Sequence, residues 1–168
     1  MSGSRRPVRR EGLAHDTRGA ALAELVIVII PFLTFALGIV QLIELYTGKL
    51  LVDHAAVHAA RSATVVFPDD PVRYGGEPVN AETPRRTAAV RLSAARAISP
   101  FLLDGTMRTV DVSFPSGIPK ERGASLTVEV RSAYRCGVPL VYRLVCPGGT
   151  VELVGRSTLP SHSADYQY

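Results

Sequence analysis

Residues 17–45 read TRGAALAELVIVIIPFLTFALGIVQLIEL, and a single carboxylate, Glu24, interrupts the start of an otherwise apolar run. From Ala20 to Val40, Glu24 is the one charged side chain among 21 residues. A helix rises about 1.5 Å per residue, so roughly 20 such residues cross the hydrocarbon core of a bilayer. A secretory signal's apolar region is shorter, about 7–15 residues. The triplet Ala36-Leu37-Gly38 could serve a signal peptidase, but IVQLIEL follows it and makes a poor start for a soluble domain. The segment therefore reads as a membrane anchor.

Charge is concentrated ahead of that anchor. Residues 1–19 hold five of the 19 basic residues (Arg5, Arg6, Arg9, Arg10, Arg18) and two of the 15 acidic ones, which leaves 14 against 13 over the rest of the chain. A nucleic-acid binder carries its basic excess on the folded domain, so that class is set aside. Positive charge stays on the cytoplasmic side. The basic leader, residues 1–19, is thus expected in the cytoplasm and everything beyond the anchor outside it.

Helical character continues through QLIELYTGKLLVDHAAVHAARSATVVF, where Ala55, Ala56, Ala59, Ala60 and Ala63 recur at helical spacing. Small residues so spaced favour close packing against another helix. One transmembrane and stalk helix is predicted over 20–66, about 70 Å long, kinked at Pro31 and softened at Gly38 and Gly48. Residues 67–83, with their prolines and Gly75-Gly76, form a loop. Thr83-Pro84 starts a second helix, Thr83 capping it, with Ala88, Leu92, Ala95 and Ile98 on its apolar face and Pro100 ending it.

Three segments then alternate with period two: RTVDVSF (Val110, Val112, Phe114), SLTVEVRSAY (Leu126, Val128, Val130, Tyr134) and TVELVGRSTL (Val151, Leu153, Leu159). Each suits an antiparallel strand with one buried face. The fold class is α+β: a long N-terminal transmembrane and stalk helix, then a small head over 84–160 of one helix on a three-stranded antiparallel sheet, and a polar tail, 161–168. So thin a core profits from a staple. Cys136 and Cys146, the two cysteines, lack zinc-pair spacing and are expected to form a disulfide outside the cytoplasm. Closing so short a loop contributes about 2–3 kcal/mol in the chain-entropy account.

Catalytic patterns are missing. His54 and His58 stand four apart with Asp53 alongside, a spacing that can hold zinc, but no third ligand can be placed near them, and they read as polar residues on a helix leaving the membrane. His15 lies in the leader and His162 in the tail. The serines have neither a GxSxG nor an SxxK context. Gly75-Gly76 and Gly148-Gly149 belong to turns, and Asp69-Asp70 lacks the further oxygens calcium requires. No catalytic residue, metal, cofactor or small-molecule substrate is assigned. Between the cysteines, Val138, Pro139, Leu140, Val141, Leu144 and Val145 are unusually apolar for a strand connection. They either fold back over the sheet or form an exposed tip that meets a partner or a membrane surface.

The motif RGAALAE resembles a type IV prepilin cleavage site, with Gly19 before the cut, Ala20 after it and Glu24 as fifth residue of the product. The wider run Arg18–Val65 is similar to the TadE-like pseudopilins of tight-adherence (Tad/Flp) pilus systems, which share Arg-Gly-Ala, the Glu, a proline (Pro31) and a downstream Ala-Ala-Arg (Ala59, Ala60, Arg61). The resemblance is strong over 18–66 and looser over 107–160. It implies a structural subunit of the bacterial inner membrane, cut by a prepilin peptidase, whose partners are other pilin-like subunits and the membrane assembly platform. Glycine before the cut lets backbone approach a tight active site. The new amine of Ala20 implies a partner for Glu24 of a neighbouring subunit, since a lone ionised acid in lipid costs several kcal/mol. A head of this size suits a minor subunit, and Ala20 differs from the Phe that type II secretion pseudopilins place after the cut.

Overall fold

A computed structural model describes residues 17–161, the side chains of Thr17, Arg18 and Ala20 excepted. The arginines at 5, 6, 9 and 10, His15 and His162 lie outside the described residues.

The first element, α1, is one helix from Thr17 to Val66. It runs through Pro31, where the missing N–H costs one backbone bond, and the hydroxyls of Thr34 and Thr47 donate back to the carbonyls of Ile30 and Ile43. A single 3-10 turn, Pro71–Tyr74, lies within the loop expected to be irregular. Then follow α2 (Pro84–Ala97), α3 (Ser99–Leu103), β1 (Asp111–Ser113), β2 (Ser125–Arg135), α4 (Tyr142–Val145) and β3 (Thr150–Pro160). Pro100 ends no helical structure, because a proline is tolerated in a first turn and here it lies in that of α3.

The sheet is antiparallel in the order β1-β2-β3. β2 and β3 pair along their whole length, from Ser125 opposite Pro160 to Arg135 opposite Thr150. β1 contributes three paired residues, with Val112 opposite Val130. The α+β architecture is therefore the one the alternation predicts. Leu126, Val128, Val130, Tyr134 and Leu153 are buried on a common face with Val110 and Phe114.

Compactness divides the chain into a unit ending at Ala36 and a unit beginning at Leu37. Within the second unit, the later part of α1 is itself part of the core. Val52, Ala55, Ala56, Ala59, Ala60 and Ala63 are buried in one cluster with Val90 and Ala94 of α2 and with the sheet. The small-residue face of α1 thus packs on its own chain's sheet as well as on a helix. The sheet lies close enough that a Cβ on Gly155 would stand 2.5 Å from the carbonyl oxygen of Val52. A Cβ on Gly48 would stand 3.0 Å from the Tyr134 ring.

The buried face of α2 is Arg86, Val90 and Ala94, with Ile98 buried at its cap, and Leu92 is exposed. The predicted face of Ala88, Leu92, Ala95 and Ile98 is corrected accordingly. The cause is Arg86. Its guanidinium donates to the carbonyls of Val66, of Phe67 (3.2 Å), of Asp69 (3.0 Å) and of Glu77 (3.1 Å), closing the C-terminal end of α1 and the loop after it. It also lies over the Tyr74 ring, 4.4 Å from the centroid. The cap of α2 is corrected too: the Thr83 side chain caps nothing. Its hydroxyl donates to the carboxylate of Glu77, which itself accepts from the backbone N–H of Arg85 (3.1 Å) and of Arg86 (3.3 Å). Burial pushes the Glu77 carboxyl up, but these hydrogen bonds outweigh it and hold the group below its ordinary value.

Candidate functional site

Two regions carry features that the sequence singles out, and the structure adds a third. The first is the start of α1. The Gly19–Ala20 bond lies within its first turn, and Glu24 is exposed on it among Leu22, Leu25 and Val28, also exposed. Glu24 has no ion-pair partner among the described residues. From Leu22 to Val40 no side chain is buried, and α1 is long and apolar enough to cross a membrane. The chemistry here is that of a surface seeking cover, with one acid set into it.

The second region is the cysteine loop. Cys136 and Cys146 are joined, with their Cα atoms 6.4 Å apart. The left-handed pair Gly148 and Gly149 then turns the chain back, so that the N–H of Cys136 donates to the carbonyl of Gly149 (3.0 Å). The two readings of this loop divide it between them. Val138 and Val141 are buried, whereas Leu140 is 71% exposed and Leu144 is 74% exposed. An anchor that the sequence did not reveal holds the loop in place: Gln41 of α1 is fully buried and its Oε1 accepts from the N–H of Val138 at 3.0 Å. A lone glutamine at the end of an apolar run was the only available signal. A groove of about 530 Å³ opens beside it, lined by Ile43, Glu44, Gly48, Tyr134 and Pro139 among others. Burial pushes the Tyr134 phenol up, with the charges of Glu44 and Asp104 adding to the effect.

The third region is the outer face of the sheet, which is polar and self-contained. Glu129 is 2% exposed although it points away from the apolar core, because two arginines cover it. Arg131 donates from Nε at 2.7 Å, and Arg156 from directly across the strand pair. Burial raises the Glu129 carboxyl, but the hydrogen bonds from Arg156 and Arg131, and their charges, bring it below its ordinary value. Arg131 also reaches Glu152 at 3.5 Å.

The remaining candidates stay apart. His54 and His58 face each other, Nε2 to Nε2 at 3.1 Å, on an exposed part of α1. Asp53, which could have joined them, pairs instead with Lys49, and no group of three metal-binding side chains occurs among the described residues. Asp69 and Asp70 act locally: Asp70 accepts from the N–H of Val72 at 2.9 Å and starts the 3-10 turn.

An exposed apolar N-terminal helix that continues into a small antiparallel head defines a membrane-anchorable protein of α+β fold. The family model described as TadE-like protein matches residues 19–61, about a quarter of the chain. That segment of the chain is TadE-like, as its resemblance implied. No curated protein and no solved structure matches the chain.

Proposed function

We propose that this protein is a minor pseudopilin of a Tad/Flp pilus or a related secretion machine, a structural subunit acting in pilus assembly and surface adherence. The observation that carries the reading is where the TadE-like segment begins. It starts at Gly19, the residue before the expected cut, and runs through Glu24 and Pro31 to Arg61. On this reading a prepilin peptidase cuts between Gly19 and Ala20 at the cytoplasmic face, α1 stays in the inner membrane, and the head lies outside the cytoplasm.

The geometry supports such a life cycle. Cutting inside the first turn of α1 requires that turn to unwind, and glycine favours this by about 1 kcal/mol relative to alanine. The exposed apolar stretch from Leu22 to Val40 can be covered by lipid before assembly and by neighbouring helices after it. The Glu24 carboxylate would meet the new amine of Ala20 on another subunit. Pairing removes much of the cost of an isolated charge in hydrocarbon, and that relief would favour one stagger between helices.

N-terminal sequencing of the protein from the membrane fraction tests the proposal. Ala20 as first residue is the expected result. Met1 or Ser2 would instead indicate an uncut, membrane-anchored binding module, and Ile39 a secreted domain. The Gly19→Asp variant should accumulate unprocessed, and unchanged processing in it sinks the cleavage assignment. Glu24→Ala should be cut normally but enter assemblies poorly.

A further inference from the structure

We propose that the disulfide loop Cys136–Cys146 is a second membrane contact, seated in the headgroup region of the leaflet where α1 emerges. The proposal rests on the reading that Ala20–Val40 spans a bilayer, and it concerns a part of the chain to which that reading gives no role.

Three contacts within the head unit fix the direction in which the loop points. Gly155, which pairs with Val130 of β2, meets α1 at Val52. Tyr134, further along β2, meets α1 at Gly48. Val138, just past the end of β2, is bonded to Gln41. From the level of Val130 and Gly155 to Val138, just past β2, the contacts thus retreat along α1 by 11 residues, about 16 Å. β2 therefore runs back toward the point where α1 leaves the apolar segment, and it delivers the loop to the level of Gln41, one residue past Val40. A loop at that height meets the surface from which the helix emerges.

Its chemistry suits that surface. Leu140 and Leu144 project into solvent while Val138 and Val141 hold the loop from behind. Leu140 sits at φ 71°, a left-handed conformation that L side chains rarely adopt, and it is nonetheless not buried against the protein. The only charged residue between the cysteines is Arg143, whose guanidinium lies 5.6 Å from the centroid of the Tyr142 ring. Two leucines with an adjoining tyrosine and arginine form the combination that occupies a bilayer interface, the apolar groups toward the acyl chains and the polar tips toward phosphate. Arg108 and Arg135 line the hollow next to the loop and add positive charge beside it. The disulfide fixes the base of the loop, so presenting these side chains takes little ordering.

The chain contains no tryptophan, so single-tryptophan variants of the full-length protein report depth cleanly in vesicles carrying bromine near the headgroup end of the acyl chains. Leu144→Trp should emit at short wavelength and be quenched, and Leu140→Trp likewise. Val72→Trp is the reference for solvent: it is 81% exposed and follows the far end of α1, about 38 Å beyond Gln41 along the helix. Phe35→Trp reports the span itself. Quenching at 35 and 144 but not at 72 supports the proposal. Quenching at 35 alone overturns it while leaving the anchor intact. No quenching at 35 removes the anchor and the proposal with it.

Discussion

Between Leu22 and Val40, α1 carries Leu, Ile, Val and Phe on every side and buries none of them. Between Gly48 and Ala63 it carries Gly, Ala and Val toward the sheet, and most of these are wholly buried. The same backbone geometry serves both, so side-chain size decides the difference. Small residues let the sheet approach to contact with the helix backbone itself, as at Gly155 over Val52. That packing closes the small-residue face of the later part of α1 to outsiders. Large apolar residues with nothing opposite them leave the earlier part open to lipid or to neighbouring helices, since exposed apolar area on this scale is removed from water by some partner. The TadE-like segment, 19–61, spans both regimes: it joins a surface made for others to a surface already used.

The comparison breaks most visibly at Gly155. A side chain there would press on the Val52 carbonyl carbon and oxygen and on the Asp53 nitrogen, all within 2.9 Å and all backbone. Backbone in the middle of a helix cannot step aside as a flexible side chain can. Gly155→Val should therefore cost about 3 kcal/mol or more, the upper end for overpacking. Urea denaturation of the full chain in detergent, followed by tyrosine fluorescence, checks this. Phe32→Ala, a larger change in volume on the exposed part of α1, should leave the head's midpoint where it was. Equal losses in the two variants would mean that the two parts of the helix are not distinct in the way described.

A second, somewhat smaller effect is expected at Arg86. Replacing it with Met keeps the apolar stem but withdraws donors from four backbone carbonyls near the end of α1. A buried acceptor left without a donor costs about 1–3 kcal/mol. Because Phe67 O also accepts from Asn80 at 2.8 Å and Val66 O from Asp69 at 3.4 Å, and the bonds to Asp69 and Glu77 are only partly buried, the total should stay near 2–3 kcal/mol, measured in the same way. An unchanged midpoint would show that the loop closes without it.

Arg86 also marks where sequence reasoning runs out. Alternation disclosed the three strands, and composition disclosed the apolar helix and the cysteine pair, because each is a repeated or local signal. An arginine in RRTAAVRLSAARA gives no sign that it faces inward, and assigning arginines to the outside rotated the predicted face of α2. Glu77 caps that helix from outside it in sequence, so no local motif could show it. Gly155 did leave a trace, since a glycine inside a strand pattern often marks close backbone approach. Glu24 stands out in the sequence as the one charge in the apolar run, but the roles proposed for Gly19, Ala20 and Glu24 come through resemblance, since a lone acid on a helix names no partner by itself.

The smallest expected effect compares two carboxylates. Glu129 is held below its ordinary value by Arg156 and Arg131 despite its burial, whereas Glu24 has no such neighbours among the described residues. A depressed carboxyl contributes stability that is fully present above its unfolded value, near 4.5, and is lost as the pH falls through its folded value. Unfolding of the full chain in detergent should therefore become easier as the pH is lowered below about 4.5. Glu129→Gln should be less stable at neutral pH and should lose part of this acid dependence, because the group that titrates is gone. Glu24→Gln should leave the head's pH profile unchanged. If Glu24→Gln flattened the profile instead, the acid of the apolar segment would be engaged within its own chain, and its proposed role between subunits would lose its physical basis.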